Sequence, residues 1–228
     1  MIRYQNYIFD LYGTLIDILT DEEDPAFWET VAQIYACYGC GYDGVTLMRT
    51  YRRMVRVAEE ELRRATGVLY PEICLENVFW ELLLQGRAGK EAEVLPDRET
   101  FLYGIANTFR VLSRKRLTLL PGTIETLDTL RKRGAGIYLL SNAQQIFTVP
   151  EMEQTGILSY FDEIYISSAH GMRKPQKEFL ENLLEEQGLD RSTCLMVGND
   201  PETDLAIAKA CGVDGCLIRP GESIAKVL

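Results

Sequence analysis

Two hydrophobic rhythms divide this chain. Near its start Tyr7-Ile8-Phe9 is a short run of β-favouring residues that ends in Asp10 and breaks at Gly13. That pattern predicts a buried strand delivering a carboxylate to its C-terminal edge. After Leu15 the apolar positions recur at helical spacing for roughly a hundred residues. Four amphipathic helices are predicted there, at about 25–38, 44–66, 71–85 and 97–114. In the second, Leu47, Tyr51, Met54, Val55, Ala58 and Leu62 mark one face, and Gly39, Gly41, Gly67 and Gly86 supply breaks between helices.

From Leu119 the rhythm becomes a regular alternation. A helix carrying Ile124, Leu127 and Leu130 closes on Arg131-Lys132-Arg133-Gly134. A strand at 136–140 stops at Ser141-Asn142, and another at 163–166 stops at Ser167-Ser168. A helix at 176–187 buries Phe179, Leu180, Leu183 and Leu184. The strand at 193–197 stops at Gly198-Asn199-Asp200, and a short helix at 204–211 leads to a last strand at 216–218. Strands separated by helices imply right-handed crossovers, hence an α/β fold with a doubly wound parallel sheet. Residues 1–16 and 118–228 are expected to form that core, and 17–117 an inserted helical domain above the carboxyl edge of the sheet, where such folds bind ligands.

The candidate chemistry collects at this edge. Asp10 lies in Asp10-Leu11-Tyr12-Gly13-Thr14-Leu15, Ser141 ends the second core strand, Lys174 follows the third, and Asp200 and Asp204 lie at and beyond the end of the fourth. In this order the residues resemble the motifs of the haloacid dehalogenase superfamily, in the subclass with a helical cap inserted after the first motif. The resemblance implies that Asp10 is a nucleophile forming an aspartyl-phosphate. It makes Lys174 a countercharge, and gives Ser141, with Asn142 and Lys174, the substrate's phosphoryl group. It also implies one Mg²⁺ held by Asp10, the Tyr12 carbonyl and Asp200, with Asp204 supporting from behind. Oxygen-only ligands with room for water suit that ion.

One residue departs from the pattern. Most phosphatases of the superfamily carry a second Asp where this chain has Tyr12, and that Asp protonates the leaving alkoxide. A phenol with a pKa of roughly 10 is a poor substitute at neutral pH. Asp-Leu-Tyr-Gly-Thr-Leu looks instead like the 2-haloacid dehalogenases, whose halide leaves without a proton. Against that, the acidic segment from Gly198 to Asp204 looks like the phosphatase form. The early Arg that such dehalogenases carry is also missing, because no Arg occurs between Ile16 and Met48. The expectation is a Mg²⁺-dependent phosphohydrolase acting on a small phosphorylated metabolite. A metal-independent dehalogenase-type hydrolase is the alternative, and a non-catalytic phospho-ligand sensor a third reading.

Composition narrows the partners. A net charge of −10 over 228 residues argues against nucleic-acid binding, though a local pocket can still take an anionic small molecule. No stretch approaches the ~20 apolar residues of a membrane span, so a cytoplasmic protein is expected. Six scattered cysteines do not make a disulfide framework, and Cys37 and Cys40 are expected to be buried thiols rather than a zinc site. The single histidine, His170, argues against a Ser-His or Cys-His hydrolase. Arg49, Arg52, Arg53 and Arg56 recur on one helix as a surface stripe, or as an arm towards an anionic substrate.

Overall fold

The structure is a computed structural model and describes residues 4–87 and 94–228. The chain divides into two units. The first comprises Met1–Ile18, Val68–Glu72 and Leu117–Leu228, and the second Leu19–Gly67 and Ile73–Arg116.

In chain order the elements are β1 (Asn6–Phe9), β2 (Ile16–Thr20), α1 (Pro25–Cys37), α2 (Gly44–Thr66), α3 (Leu75–Gly86), α4 (Arg98–Ser113), β3 (Arg114–Leu119), α5 (Thr123–Lys132), β4 (Gly136–Ser141), α6 (Gln145–Gln154), β5 (Glu163–Ile166), α7 (Ser167–His170), α8 (Lys177–Glu186), β6 (Cys194–Gly198), α9 (Ala206–Cys211) and β7 (Asp214–Leu217). Among the described residues, five strands form one sheet in the order β5-β4-β1-β6-β7, with every pairing parallel. This is the α/β doubly wound sheet that the alternation predicts. Strand β1 is central, its Phe9 level with Leu139 of β4 and Val197 of β6.

The pleat sends alternate residues of β1 into two cores. Tyr7 and Phe9 pack with Leu127 and Leu130 of α5, Met152 of α6 and Ile224 near the C-terminus. Ile8 packs on the other face with Phe179, Leu180 and Leu183 of α8 and Ile207 of α9. All of these side chains are essentially inaccessible to solvent. A strand buried on both faces has no polar alternation, which is why β1 and β6 read as continuous apolar runs.

Four elements depart from the sequence expectation. β2 and β3 pair as a separate two-stranded sheet, in places where the polar run Arg114-Lys115-Arg116 gave no strand signal. Helix α6 exists despite Pro150 inside it. Helix α3 begins at Leu75 rather than near residue 71, because Val68–Glu72 belongs to the α/β unit and is paired there. There Pro71 bridges to Met172, Glu72 N–H donates to the Gly171 carbonyl, and the Glu72 carboxylate accepts from Gln144 Nε2 at 2.9 Å and Ser167 Oγ at 3.2 Å. The helical insert is therefore interrupted, where the sequence suggests one block.

The helical unit has its own aromatic core. Phe109 meets Phe27 at 4.8 Å and Phe79 at 5.2 Å between ring centroids, the first pair edge to face. Helix α2 is started by Asp43, whose side chain accepts the Thr46 N–H, and is closed by Gly67 at φ 76°. Of the arginine stripe, Arg52 pairs with Glu23 at 2.6 Å and Arg53 donates to Gln85 at 3.1 Å, both within this unit. None of the six cysteines forms a disulfide; Cys40 is buried, but Cys37 faces solvent.

Candidate active site

The ends of β1, β4 and β6 bring the sequence-predicted residues to one edge of the sheet. Asp10 continues β1, donating its backbone N–H to the Val197 carbonyl at 2.8 Å. Its Oδ1 accepts from Lys174 Nζ at 2.7 Å, and its Oδ2 accepts from Thr14 Oγ1 at 3.0 Å. Lys174 is 2 % exposed and spends its remaining N–H groups on Asp204 Oδ1 at 2.7 Å and the Leu140 carbonyl at 2.8 Å. All three ammonium hydrogens are thus engaged, and Lys174 aims Asp10 as well as neutralising it.

Two buried carboxylates share this one ammonium. Burial pushes the Lys174 pKa down, but Asp10 and Asp204 together outweigh it and hold the group above its ordinary value. Burial likewise pushes the Asp204 carboxyl up; Lys174 opposes this and the neighbouring Asp10 charge adds to it, leaving it above the usual carboxylate range. Asp204 also accepts the Asp200 N–H on Oδ2 at 3.0 Å. Its carboxylate lies so close to the end of β6 that a Cβ at Gly198 would come within 2.2 Å of it.

The other predicted residues take distinct places. Ser141 Oγ, at the end of β4, is buried without a hydrogen bond. Asn142 commits both ends of its carboxamide to the Lys174 backbone, donating to the carbonyl at 3.0 Å and accepting the N–H at 2.7 Å. It positions Lys174 rather than standing ready for a ligand. Asp200 caps the turn that follows, its Oδ1 accepting the Glu202 N–H at 2.8 Å. Among the described residues, no three His, Cys, Asp or Glu side chains converge on a single ion position.

Sequence reasoning overlooked the residue beside Asp200. The Asn199 carboxamide stands 3.2 Å from Asp10 Oδ2, 3.2 Å from Thr14 Oγ1 and 3.3 Å from the Tyr12 carbonyl oxygen. Gly13, at φ 83°, makes room for it, since a Cβ there would lie 2.5 Å from the Asn199 amide.

Tyr12 was expected to matter as a missing acid, and its side chain turns out to be tied down. Its hydroxyl donates to Glu151 Oε2 at 2.5 Å and shares a 3.1 Å hydrogen bond with Thr148 Oγ1, both on α6. Glu151 is 1 % exposed. No motif marks Glu151 or Thr148, which look like any polar residues on a weakly amphipathic helix.

The arrangement is a buried, ion-paired aspartate at a strand end, flanked by an orphan hydroxyl and a loop of converging oxygens. The chain is 26% identical over 206 residues to a phosphoglycolate phosphatase of Agrobacterium fabrum, covering 89% of this chain and 76% of that one. It is 35% identical over 100 residues to the pyrimidine 5′-nucleotidase YjjG of Escherichia coli, covering 43% of this chain and only 44% of that one. In fold it resembles the L-2-haloacid dehalogenase of Xanthobacter autotrophicus, with a TM-score of 0.53 and 22% identity over 97% of this chain and 80% of that one. No helix among the described residues is long and apolar enough to cross a membrane. The sequence profile of the haloacid dehalogenase-like hydrolases matches residues 4–212, and the chain belongs to that family.

Proposed function

We propose that this hydrolase is a Mg²⁺-dependent phosphohydrolase that cleaves a small phosphorylated metabolite through an aspartyl-phosphate on Asp10. The observation that carries the reading is Ser141 Oγ, buried and without a hydrogen bond one strand away from Asp10. A buried hydroxyl left unpaired costs about 1–3 kcal/mol, and a phosphoryl oxygen at the strand ends would satisfy it. Phosphatases among the curated relatives support the same choice.

In this reading a carboxylate oxygen of Asp10 attacks phosphorus and the ester P–O bond breaks, its electrons leaving with the alkoxide. Water then releases phosphate from Asp10. Lys174 holds Asp10 charged and aimed, Asp204 and Asn142 hold Lys174, and Ser141 donates to the transferred group. The cation site passes a test of donor chemistry. The Asp10 carboxylate and the Tyr12 carbonyl both face the Asn199 side chain, and hard oxygens of this kind suit Mg²⁺. Asp10, Tyr12 and a fourth-motif side chain, Asp200 by resemblance, would hold the ion. When bound it would supply the positive charge that phosphoryl transfer needs. The helical unit acts as a C1-type cap that selects the substrate, and a cytoplasmic location follows from a metabolite substrate.

A second reading, dehalogenation without metal, is favoured by one observation: the fourth-motif side chain against Asp10 is the neutral Asn199. One assay separates the two, using aryl phosphate, sugar phosphates and 2-chloropropionate with Mg²⁺ or with EDTA. Phosphate release that needs Mg²⁺ and vanishes in Asp10→Asn, after deamidation is excluded, is the expected result. Dehalogenation in EDTA would replace the first reading by the second, and retained activity in Asp10→Asn would remove the covalent mechanism from both.

A further inference from the structure

Ser141 closes β4 and Lys174 lies beyond α7, so the segments that follow β4 and β5 must keep register with each other for both residues to serve Asp10. Asn142 makes one tie between these segments, through the Lys174 backbone. A second tie comes from a distant part of the chain. Val68–Glu72 lies between α2 and α3 in sequence but belongs to the α/β unit. It runs beside the residues that lead into Lys174. Arg173 N–H donates to the Tyr70 carbonyl at 2.9 Å, Glu72 N–H donates to the Gly171 carbonyl at 3.3 Å, and Pro71 bridges to Met172. Gln176 holds its other end, the side-chain oxygen accepting the Leu69 N–H at 3.1 Å.

The Glu72 carboxylate sets one oxygen on each segment. Oε1 accepts from Gln144 Nε2 at 2.9 Å, and Oε2 accepts from Ser167 Oγ at 3.2 Å. Ser167 Oγ also accepts the Ala143 N–H at 2.9 Å, which closes the link between the two segments. Arg173 Nη1 stands 3.8 Å from Oε2 and faces the charge, and the Glu72 side chain is only 14 % exposed. A carboxylate so sheltered is costly unless its oxygens are engaged. Because it only accepts, it can take a hydrogen from both segments at once, which a carboxamide cannot do.

We propose that Glu72 is a positioning residue for the reaction at Asp10: it locks the segments after β4 and β5 together and so keeps Lys174 and Ser141 in place. Lys174 has no hydrogen to spare, since its ammonium is shared among Asp10, Asp204 and the Leu140 carbonyl. Any shift of its backbone must therefore lengthen one of these bonds, and a misplacement of about 1 Å far from the chemistry can cost ~10²-fold in rate. This rests on the reading above in which Lys174 aims Asp10 as the nucleophile.

The test is steady-state turnover of an aryl phosphate by the full chain with Mg²⁺, at a temperature where melting curves show every variant folded. Glu72→Ala should lower kcat and kcat/KM together by about ten- to hundredfold, with KM changed by less than about threefold. Glu72→Gln, which keeps the shape and one acceptor oxygen, should recover at least threefold of that loss. Gln144→Ala should lower kcat as well, and its combination with Glu72→Ala should be at least threefold less impaired than the product of the two single losses. Hydrogen exchange should rise in 141–145 and 167–174 together in Glu72→Ala. A lower melting temperature with unchanged kcat in the folded variants would make Glu72 a purely structural residue and overturn the proposal, as would losses that simply multiply. Both results leave the function of Asp10 standing. No turnover by the wild type would overturn that function and the proposal together.

Discussion

The hydrogen bond between Tyr12 and Glu151 separates two roles for the residue that departs from the phosphatase pattern. If the phenol is an anchor, Tyr12→Phe should cost stability and leave chemistry nearly intact. Glu151 is 1 % exposed, and the variant removes its 2.5 Å donor. Losing a hydrogen bond to a buried carboxylate costs about 1–3 kcal/mol. In a chain of this length that corresponds to a melting temperature lower by roughly 2–10 °C. Because the protein has two units, the transition should be followed by calorimetry and assigned to the α/β unit rather than read as a single midpoint. Glu151→Gln and the double variant complete a cycle, with a coupling of about 0.5–3 kcal/mol expected for two residues in contact. Turnover of alkyl and aryl phosphates should fall together and by less than about threefold. An acid catalyst predicts another pattern: alkyl phosphates would lose ~10²–10⁴-fold, while aryl phosphates, whose leaving groups barely need a proton, would be spared. A hundredfold selective loss on alkyl esters, with an unchanged melting temperature, would refute the anchor.

Gly198→Ala places a methyl within 2.2 Å of the Asp204 carboxylate, which Lys174 and the Asp200 N–H hold from both sides; overpacking of about 1–3 kcal/mol and a large loss of kcat are expected in urea unfolding and steady-state assays. His170 stacks on Tyr165 at 4.3 Å, and burial lowers its pKa against the pull of Glu186 and Glu163. The folded state therefore favours the neutral ring, so its contribution is full above the unfolded pKa of about 6.5 and is lost as pH falls through the lower folded value. The melting temperature should drop more between pH 7.5 and 5.5 in the wild type than in His170→Gln.

The sequence carried the sheet well because its central strands are buried on both faces and end in residues that break the pattern. Asp10, Ser141 and Lys174 could be located for the same reason: each follows an apolar run at the same edge. What stayed hidden was decided by pairing in three dimensions. Adjacent Asn199 and Asp200 are equally polar and both lie beyond the end of β6, and only the path of the loop in three dimensions brings Asn199 against Asp10. Glu72 sits in what reads as the first turn of a helix, and only backbone pairing with residues 171–173 straightens it. Tyr12 looked like a lost acid because its partner Glu151 lies on α6, a helix that Pro150 disguises.

The central place of β1 has a consequence for how the chain is made. This strand leaves the ribosome early, yet its neighbours begin only at Gly136 and Cys194. At ~5–20 residues per second, Tyr7-Ile8-Phe9 stays without a sheet for several seconds to about half a minute. In that interval the helical unit, whose contacts are more local, can already fold. The nascent strand is left as an apolar, edge-forming segment of the kind that chaperones bind and that associates wrongly when synthesis is crowded. Slow translation before residue 136 should therefore lower the yield of soluble protein, and a version of the chain that opens at β4 and carries β1 last should escape the penalty.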